Sequence, residues 1–199
     1  MQNQYNVING TGIVPEGATV IDDRAFCGNK DLWEVAIPKS VTTIGKFAFC
    51  GCEGLKEIIL PPVTRIEEYA FKDCSNLESV VLPRSLRVIG DYAFSNCRSL
   101  NEVIMPDEVV EIGEGAFFGC FDLKCITIPD SVKKIGKDAF SCCFGLEEII
   151  IGDNSLLKDA DVPQKNKRVN MERIKEAQKL LSDYLQKRAE QEGIHLKLD

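Results

Sequence analysis

Residues 128–143 read IPDSVKKIGKDAFSCC, and most of this stretch returns along the chain with a period of about 23 residues. Its Ala-Phe pair occurs six times, at Ala25-Phe26, Ala48-Phe49, Ala70-Phe71, Ala93-Phe94, Ala116-Phe117 and Ala139-Phe140. Every step is 23 residues except one of 22. So short a unit buries its apolar face only by stacking on its neighbours, so the period predicts a solenoid with one coil per repeat.

Other apolar residues recur in the same register. A leucine column opens each repeat, and a second aliphatic column is followed by proline in five of six repeats: Leu32, Leu55, Leu77, Leu100, Leu123 and Leu146, then Ile37, Leu60, Leu82, Met105, Ile128 and Ile151. Apolar and variable residues alternate before the proline, which predicts a short strand with one buried face. Proline has no N–H for a ladder, so it marks the strand end.

The second half of each repeat is too short for a stable helix. Val41, Ile44 and Ala48-Phe49 show apolar spacings of three and four, but a helix under about 12 residues is marginal alone. We therefore expect extended or 3₁₀ structure there. The turn that follows is occupied mainly by residue types that tolerate positive φ, and Cys142 is the exception: Gly28, Gly51, Asp73, Asn96, Gly119 and Cys142.

This composite motif resembles the BspA-like class of leucine-rich repeats, from Val14 to Ile151. The resemblance implies a right-handed horseshoe with a concave parallel β-sheet and short convex segments. Members of the class are typically bacterial or protist surface proteins that bind other proteins or host matrix. On this reading residues 1–152 form the solenoid, with a cap strand at about 9–15 and six repeats over 21–151.

The period ends after Ile151. Residues 153–169 are polar and of mixed charge and are predicted to be a linker, and residues 170–199 a C-terminal helix and short tail. Apolar residues follow helical spacing at Ile174, Ala177, Leu181 and Tyr184. Two interpretations remain open: the helix covers the last coil, or it pairs with a second copy in a homodimer.

The composition of the chain indicates its cellular compartment and the class of partner that it binds. We see no signal peptide and no run of about 20 apolar residues for a membrane span, and there are nine cysteines, so we predict a cytoplasmic protein with free thiols. A secreted or cell-surface protein is the alternative. Residues 1–152 carry 14 Lys and Arg against 22 Asp and Glu, and this acidity disfavours nucleic acid as a partner.

The candidate binding surface is the concave face of the predicted sheet. Two columns of variable strand residues project there if the strands stack in register, one largely acidic and one largely apolar. The first is Glu34, Glu57, Ser79, Glu102, Cys125 and Glu148, and the second is Ala36, Ile59, Val81, Ile104, Thr127 and Ile150. Contiguous exposed apolar area often marks an interaction site, so the predicted ligand is a protein.

Most of the cysteines are predicted to pack in the core and not to bind a metal. One column holds Cys52, Cys74, Cys97, Cys120 and Cys143, which we interpret as small buried hydrophobes, since the spacing of a zinc site is missing. We predict no metal site and no cofactor. Cys27 and Cys50 share another column on neighbouring coils, where a disulfide is conceivable in an oxidising compartment.

No catalytic residues are predicted. The single histidine, His195, lies in the tail, which removes Ser-His and Cys-His pairs from the repeats. The sequence therefore favours a non-catalytic protein-interaction module. The alternative is a bacterial surface or secreted adhesin that binds a host matrix protein or glycan.

Overall fold

The fold is known from a computed structural model, which describes residues 5–151, 167–168 and 179. Each coil contributes one strand to each of two walls of a parallel β-solenoid. The first wall contains β2 (Thr11–Ile13), β4 (Glu34–Ala36), β6 (Glu57–Ile59), β8 (Ser79–Val81), β10 (Glu102–Ile104), β12 (Cys125–Ile128) and β14 (Glu148–Ile151). The second contains β3 (Val20–Ile21), β5 (Thr43–Ile44), β7 (Arg65–Ile66), β9 (Val88–Ile89), β11 (Glu111–Ile112) and β13 (Lys134–Ile135).

Both walls are parallel and stacked in the register that the repeat predicts. The second wall is one continuous six-stranded sheet from β3 to β13. Within the described residues, backbone pairing in the first wall falls into three groups, with β6 and β8 forming the middle one. The second half of each repeat is therefore extended. This is one of the two predicted conformations, the other being a 3₁₀ helix.

The repeat that lacks one residue keeps its register through a tighter turn. In the full-length repeats a backbone N–H donates to the carbonyl three residues earlier, as from Val41 to Pro38 at 3.1 Å. In the short repeat Val63 donates to Pro61, only two residues earlier, at 2.5 Å. Thr43 still pairs with Arg65, so the deletion is absorbed entirely in the turn.

The repeated phenylalanines form one continuous ladder in the core. Neighbouring rings lie 4.9 to 5.8 Å apart and within 15° of parallel, and all six side chains are buried: Phe26, Phe49, Phe71, Phe94, Phe117 and Phe140. The alanine before each ring is also buried, which leaves room for the stack. The ladder confirms that the Ala-Phe pairs repeat once per coil, as the period predicts.

Two turn positions in every coil adopt the left-handed conformation. The predicted turn column has φ between 59° and 77°, including Cys142 at 61°. The position before each Ala-Phe pair has φ between 54° and 61° and is occupied by Arg24, Phe47, Tyr69, Tyr92, Gly115 and Asp138. Bulky residues rarely adopt this conformation, so the second column was invisible to residue-type arguments.

The N-terminal cap is a hairpin and not a single strand. β1 (Val7–Ile8) pairs antiparallel with β2, and Asn9 and Gly10 form the two-residue turn with φ of 48° and 78°. Such a turn strongly favours Asn-Gly, so the signal was present in the sequence. Gly12 lies so close to Phe26 and Leu32 that a Cβ there would come within 2.8 Å of both side chains.

At the other end of the first wall, β15 (Lys167–Arg168) pairs parallel with β14. These two residues fall within the predicted linker, so that stretch contains at least one strand that extends the sheet. Apart from Lys179, the predicted helix lies outside the described residues. The same is true of the dimer residues Ile174, Ala177, Leu181 and Tyr184 and of His195.

Candidate interaction surface

Alternate residues of the first wall point away from the core and form what we call the outer strand face. In β6, for example, Ile58 is buried while Glu57 is exposed. The pairing places Glu57 beside Ser79, and Glu102 beside Cys125 and then Glu148. The two predicted columns therefore lie in register along these strands, as expected from a parallel stack.

The acidic column includes glutamates without a basic partner. Glu34, Glu57 and Glu102 are exposed, while Ser79, Cys125 and Glu148 are half-buried. Among the described residues, Glu34 and Glu102 form no salt bridge. Acids on other parts of the coils are paired, such as Glu68 with Lys46 at 3.2 Å and Glu111 with Lys134 at 2.6 Å. Glu34 and Glu102 thus leave unneutralised negative charge on the outer strand face.

The apolar column is accessible mainly at its N-terminal end. Ile13 of the cap strand pairs with Ala36 and begins the column, and both side chains are exposed. Ile59 and Ile104 are half-buried, whereas three later members are buried: Val81, Thr127 and Ile150. The apolar column, which was predicted to be exposed along its whole length, is therefore buried at those three positions and exposed next to the cap.

The cap hairpin adds exposed apolar residues beside this open end. Ile8 pairs with Thr11, which pairs with Glu34, so Ile8 lies on the outer strand face. Its side chain is 57% exposed, and Trp33, whose ring lies over Gly10, is 61% exposed. We call Ile8, Ile13 and Trp33 the N-terminal apolar patch. Ile8 could not be predicted from the repeat pattern because β1 precedes the first repeat.

The cysteine column has a structural role that explains its residue type. Each buried thiol donates a hydrogen bond of 3.0 to 3.2 Å to the carbonyl of the repeated phenylalanine one coil back, as in Cys97 to Phe71. Burial raises the pKa of Cys52 to about 12 and raises the pKa of Cys74, Cys97 and Cys120 well above the ordinary range. These thiols stay protonated, as the donor role requires. The interpretation as buried small residues is confirmed for all five.

A second aromatic ladder is formed by residues at the left-handed position before the Ala-Phe pairs. The rings of Phe47 and Tyr69 stack at 4.7 Å, and those of Tyr69 and Tyr92 at 5.3 Å. At the first ring of this ladder, the guanidinium carbon of Arg24 lies 5.2 Å from the centre of the Phe47 ring. At the other end the Tyr92 hydroxyl donates to Glu114 at 2.7 Å, and this hydrogen bond raises the pKa of Tyr92 to about 12. Because the ring faces cover one another, the ladder stabilises the turns and offers little area to a ligand.

Two further phenylalanines are exposed near the C-terminal end of the repeats. Phe121 and Phe144 stack at 5.7 Å, and the guanidinium of Arg98 lies 5.6 Å from the Phe121 ring centre. Phe144 is 81% exposed. This pair was not predicted from the sequence, although each phenylalanine directly follows a residue of the cysteine column.

Neither a metal-binding cluster nor a membrane-spanning helix occurs in the described part of the chain. No three His, Cys, Asp or Glu side chains within it are arranged to hold a metal ion. Among the same residues, no helix is both long and apolar enough to cross a bilayer.

Comparison with solved structures supports the fold independently. A leucine-rich repeat protein from Bacteroides ovatus is 38% identical with a TM-score of 0.67, and the match covers 72% of this chain and 37% of that protein. The leucine-rich repeat protein of T. pallidum is 32% identical with a TM-score of 0.62, over 69% of this chain and 78% of that one. The pneumococcal vaccine antigen PcpA shares the fold at 24% identity and a TM-score of 0.51, over 84% of this chain and 38% of that one.

The chain thus spans just over a third of the length of the B. ovatus protein. No functionally curated protein matches the sequence. The model of the BspA type leucine-rich repeat region matches residues 19–147 in six copies, which agrees with the six stacked coils of the second wall. With this match over more than half its length, the chain belongs to the BspA-type leucine-rich repeat family.

Proposed function

We propose that this chain is a non-catalytic protein-interaction module that binds its partner through the N-terminal part of the outer strand face. The observation that carries the proposal is the in-register placement of unneutralised acids beside exposed apolar residues. Glu34 lies next to Ala36 on β4, and the N-terminal apolar patch borders both. If the horseshoe curvature implied by the family resemblance holds, this face is concave.

The partner's chemistry follows from the surface. An apolar patch with aromatic character excludes water effectively on contact, and Trp is enriched among the residues that dominate binding energy. Glu34 and Glu102 add negative potential, which favours a basic segment and speeds its association. We therefore propose a partner segment that combines Lys or Arg with aliphatic or aromatic residues.

The test uses a random peptide library panned on the immobilised full chain. Enriched peptides should carry basic and apolar residues together, and their affinity should fall at least tenfold for the variants Ile13→Glu and Glu34→Lys. A tenfold loss corresponds to about 1.4 kcal/mol. Rising salt should weaken binding, since exposed charges are screened.

Two variants provide matched controls. Val20 is 41% exposed on the second wall, and Ile13 is 43% exposed on the first. Val20→Glu therefore places the same charge at a similarly exposed aliphatic residue outside the outer strand face. Glu16→Lys reverses an exposed acid in the turn between the walls. Equal losses in Ile13→Glu and Val20→Glu would contradict a binding site on the outer strand face.

The adhesin role and the homodimer remain separate proposals. Binding of the full chain to a host matrix protein or glycan, lost in Ile13→Glu, would support an adhesin that uses the same surface. A homodimer through Ile174, Ala177, Leu181 and Tyr184 predicts twice the chain mass in light scattering at tens of micromolar. A cytoplasmic location predicts fractionation with other cytoplasmic proteins, and a surface location predicts labelling of intact cells.

A further inference from the structure

Cys27 and Cys50 occupy equivalent positions on the first and second coils. The Gly28 N–H donates to the Cys50 carbonyl at 2.7 Å, so the two backbones are directly paired at this point. In the next column, a Cβ on Gly51 would lie 3.6 Å from the Gly28 Cα. In the column before it, the rings of Phe26 and Phe49 lie 5.2 Å apart. Backbones paired in this way lie about 4.8 Å apart, which is within the roughly 4.4 to 6.8 Å that separates the Cα atoms of most disulfides.

The two side chains are free, half-buried thiols on these paired backbones. Cys27 is close enough that, beside burial, it helps to raise the pKa of Cys50. Cys27 also lines an open groove of about 410 Å³ together with Tyr5, Phe26 and Lys30. A small disulfide reagent can therefore reach Cys27 from solvent.

Among the described residues, no other pair of cysteines combines these features. The five thiols of the cysteine column are buried and donate to phenylalanine carbonyls. The remaining two half-buried cysteines differ from them in position: Cys125 stands in β12 beside glutamates, and Cys142 stands in the left-handed turn column beside Gly119. Oxidation should therefore select one pair.

We propose that Cys27 and Cys50 form a reversible disulfide that joins the first coil to the second, with a low-molecular-weight disulfide such as glutathione disulfide as the oxidant. The Cys27 thiolate attacks one sulfur of glutathione disulfide, which forms a mixed disulfide and releases one glutathione thiolate. The Cys50 thiolate then attacks the Cys27 sulfur and releases the second glutathione. Two protein thiols are oxidised, one glutathione disulfide is reduced to two glutathiones, and the two protons pass to the glutathione thiolates.

The order of attack follows from access. Burial raises the pKa of Cys50 to about 11, so little of it is thiolate at neutral pH, and Cys27 is the thiol that faces the groove. The second step is intramolecular, which compensates for the low thiolate fraction of Cys50 through a high effective concentration. The disulfide closes a loop of 23 residues and fixes the coil that carries the cap.

The experiment equilibrates the full chain in glutathione buffers, traps free thiols with N-ethylmaleimide in denaturant, and measures intact mass. Nine adducts are expected under reducing conditions and seven, with the loss of two hydrogens, under oxidising conditions. Trypsin should then yield residues 25–30 linked to residues 47–56, and fragmentation between Cys50 and Cys52 should assign the bond to Cys50. Reduction should restore nine adducts.

Variants decide the assignment. Cys27→Ser should keep eight free thiols under all conditions, whereas Cys50→Ser should stop at the mixed disulfide of Cys27 with glutathione and keep seven. Cys142→Ser, the matched control at another half-buried cysteine, should fall from eight to six. Circular dichroism of the reduced variants checks that each is folded. In the wild-type chain, nine adducts at every glutathione ratio or a stable mixed disulfide without the internal bond would overturn the proposal, as would a linkage that survives Cys27→Ser.

Discussion

At the scale of single residues, the buried cysteines show how a hydrogen bond selects a residue type. The carbonyl of Phe71 accepts one bond from the Cys74 N–H within its own coil and a second from the Cys97 thiol of the next coil. A carbonyl oxygen has two lone pairs, so both donors are accommodated. Burial of these cysteines could be predicted from residue size, but the thiol donor could not, because the acceptor is contributed by a different coil.

Substitutions at Cys97 test the donor role. Cys97→Ala removes the thiol and leaves a small cavity, so we expect a loss of about 1–2 kcal/mol in the free energy of unfolding. Cys97→Ser keeps a donor that can reach the Phe71 carbonyl, and should be no less stable than Cys97→Ala. Urea unfolding followed by circular dichroism measures both. A serine variant less stable than the alanine variant by more than about 1 kcal/mol would indicate an unpaired buried hydroxyl and contradict the role.

At the scale of the element, the turn before each Ala-Phe pair combines an unfavourable backbone with favourable side-chain stacking. Tyr69 has φ of 59°, and its ring lies between those of Phe47 and Tyr92. A non-glycine residue in this region costs roughly 1–2 kcal/mol, while an aromatic pair contributes about 0.5–1.5 kcal/mol beyond its buried area. Two such contacts offset the backbone cost, which explains why the fold accepts aromatic residues there.

The order of two variants at Tyr69 tests this balance. Tyr69→Ala and Tyr69→Gly lose the same ring, but only glycine relieves the left-handed backbone, so we expect Tyr69→Gly to be more stable by about 1 kcal/mol. Lys72 lies in the same turn and is not among the residues with positive φ, so there the alanine variant should be the more stable one. Thermal or urea unfolding of the four variants gives both orders. The same order at both positions would contradict the left-handed turn.

At the scale of the whole molecule, prediction succeeded where the period applies and failed where it stops. The register, the core columns and the phenylalanine ladder could be derived because six equivalent residues must meet in a stack. Strand β15 could not, because no repeat covers it. The hairpin strand β1 also lies outside the period, and its signal is only the local Asn9-Gly10 turn. The repeat pattern also does not predict which side chains of the outer strand face are exposed. Ile13 and Ile150 occupy one column, yet the first is exposed and the second is buried. Burial there depends on neighbours that differ from coil to coil.

The hairpin cap covers the N-terminal end of the stack of coils. Substitutions at two glycines test how many coils the cap stabilises. Gly10 and Gly17 both have φ of 78°, but a Cβ on Gly10 would come within 2.7 Å of the Trp33 ring, whereas a Cβ on Gly17 would meet no atom within 4 Å. Both alanine variants carry the same backbone strain. Only Gly10→Ala should displace Trp33 and open the hairpin, because only there does the methyl group overlap a neighbour.

Coils in a solenoid contact only their neighbours, so damage to the cap should remain local. We expect hydrogen exchange in Gly10→Ala to rise in β1, β2 and β4 and to stay near the wild-type rate in β10 and β12. Trp33 is the only tryptophan, so its fluorescence should report cap opening at lower urea than the circular dichroism of the whole chain. Gly17→Ala should leave the two transitions coincident. A uniform rise in exchange along the chain in Gly10→Ala would mean that the coils unfold as one unit, and would contradict a cap that acts on its neighbouring coils alone.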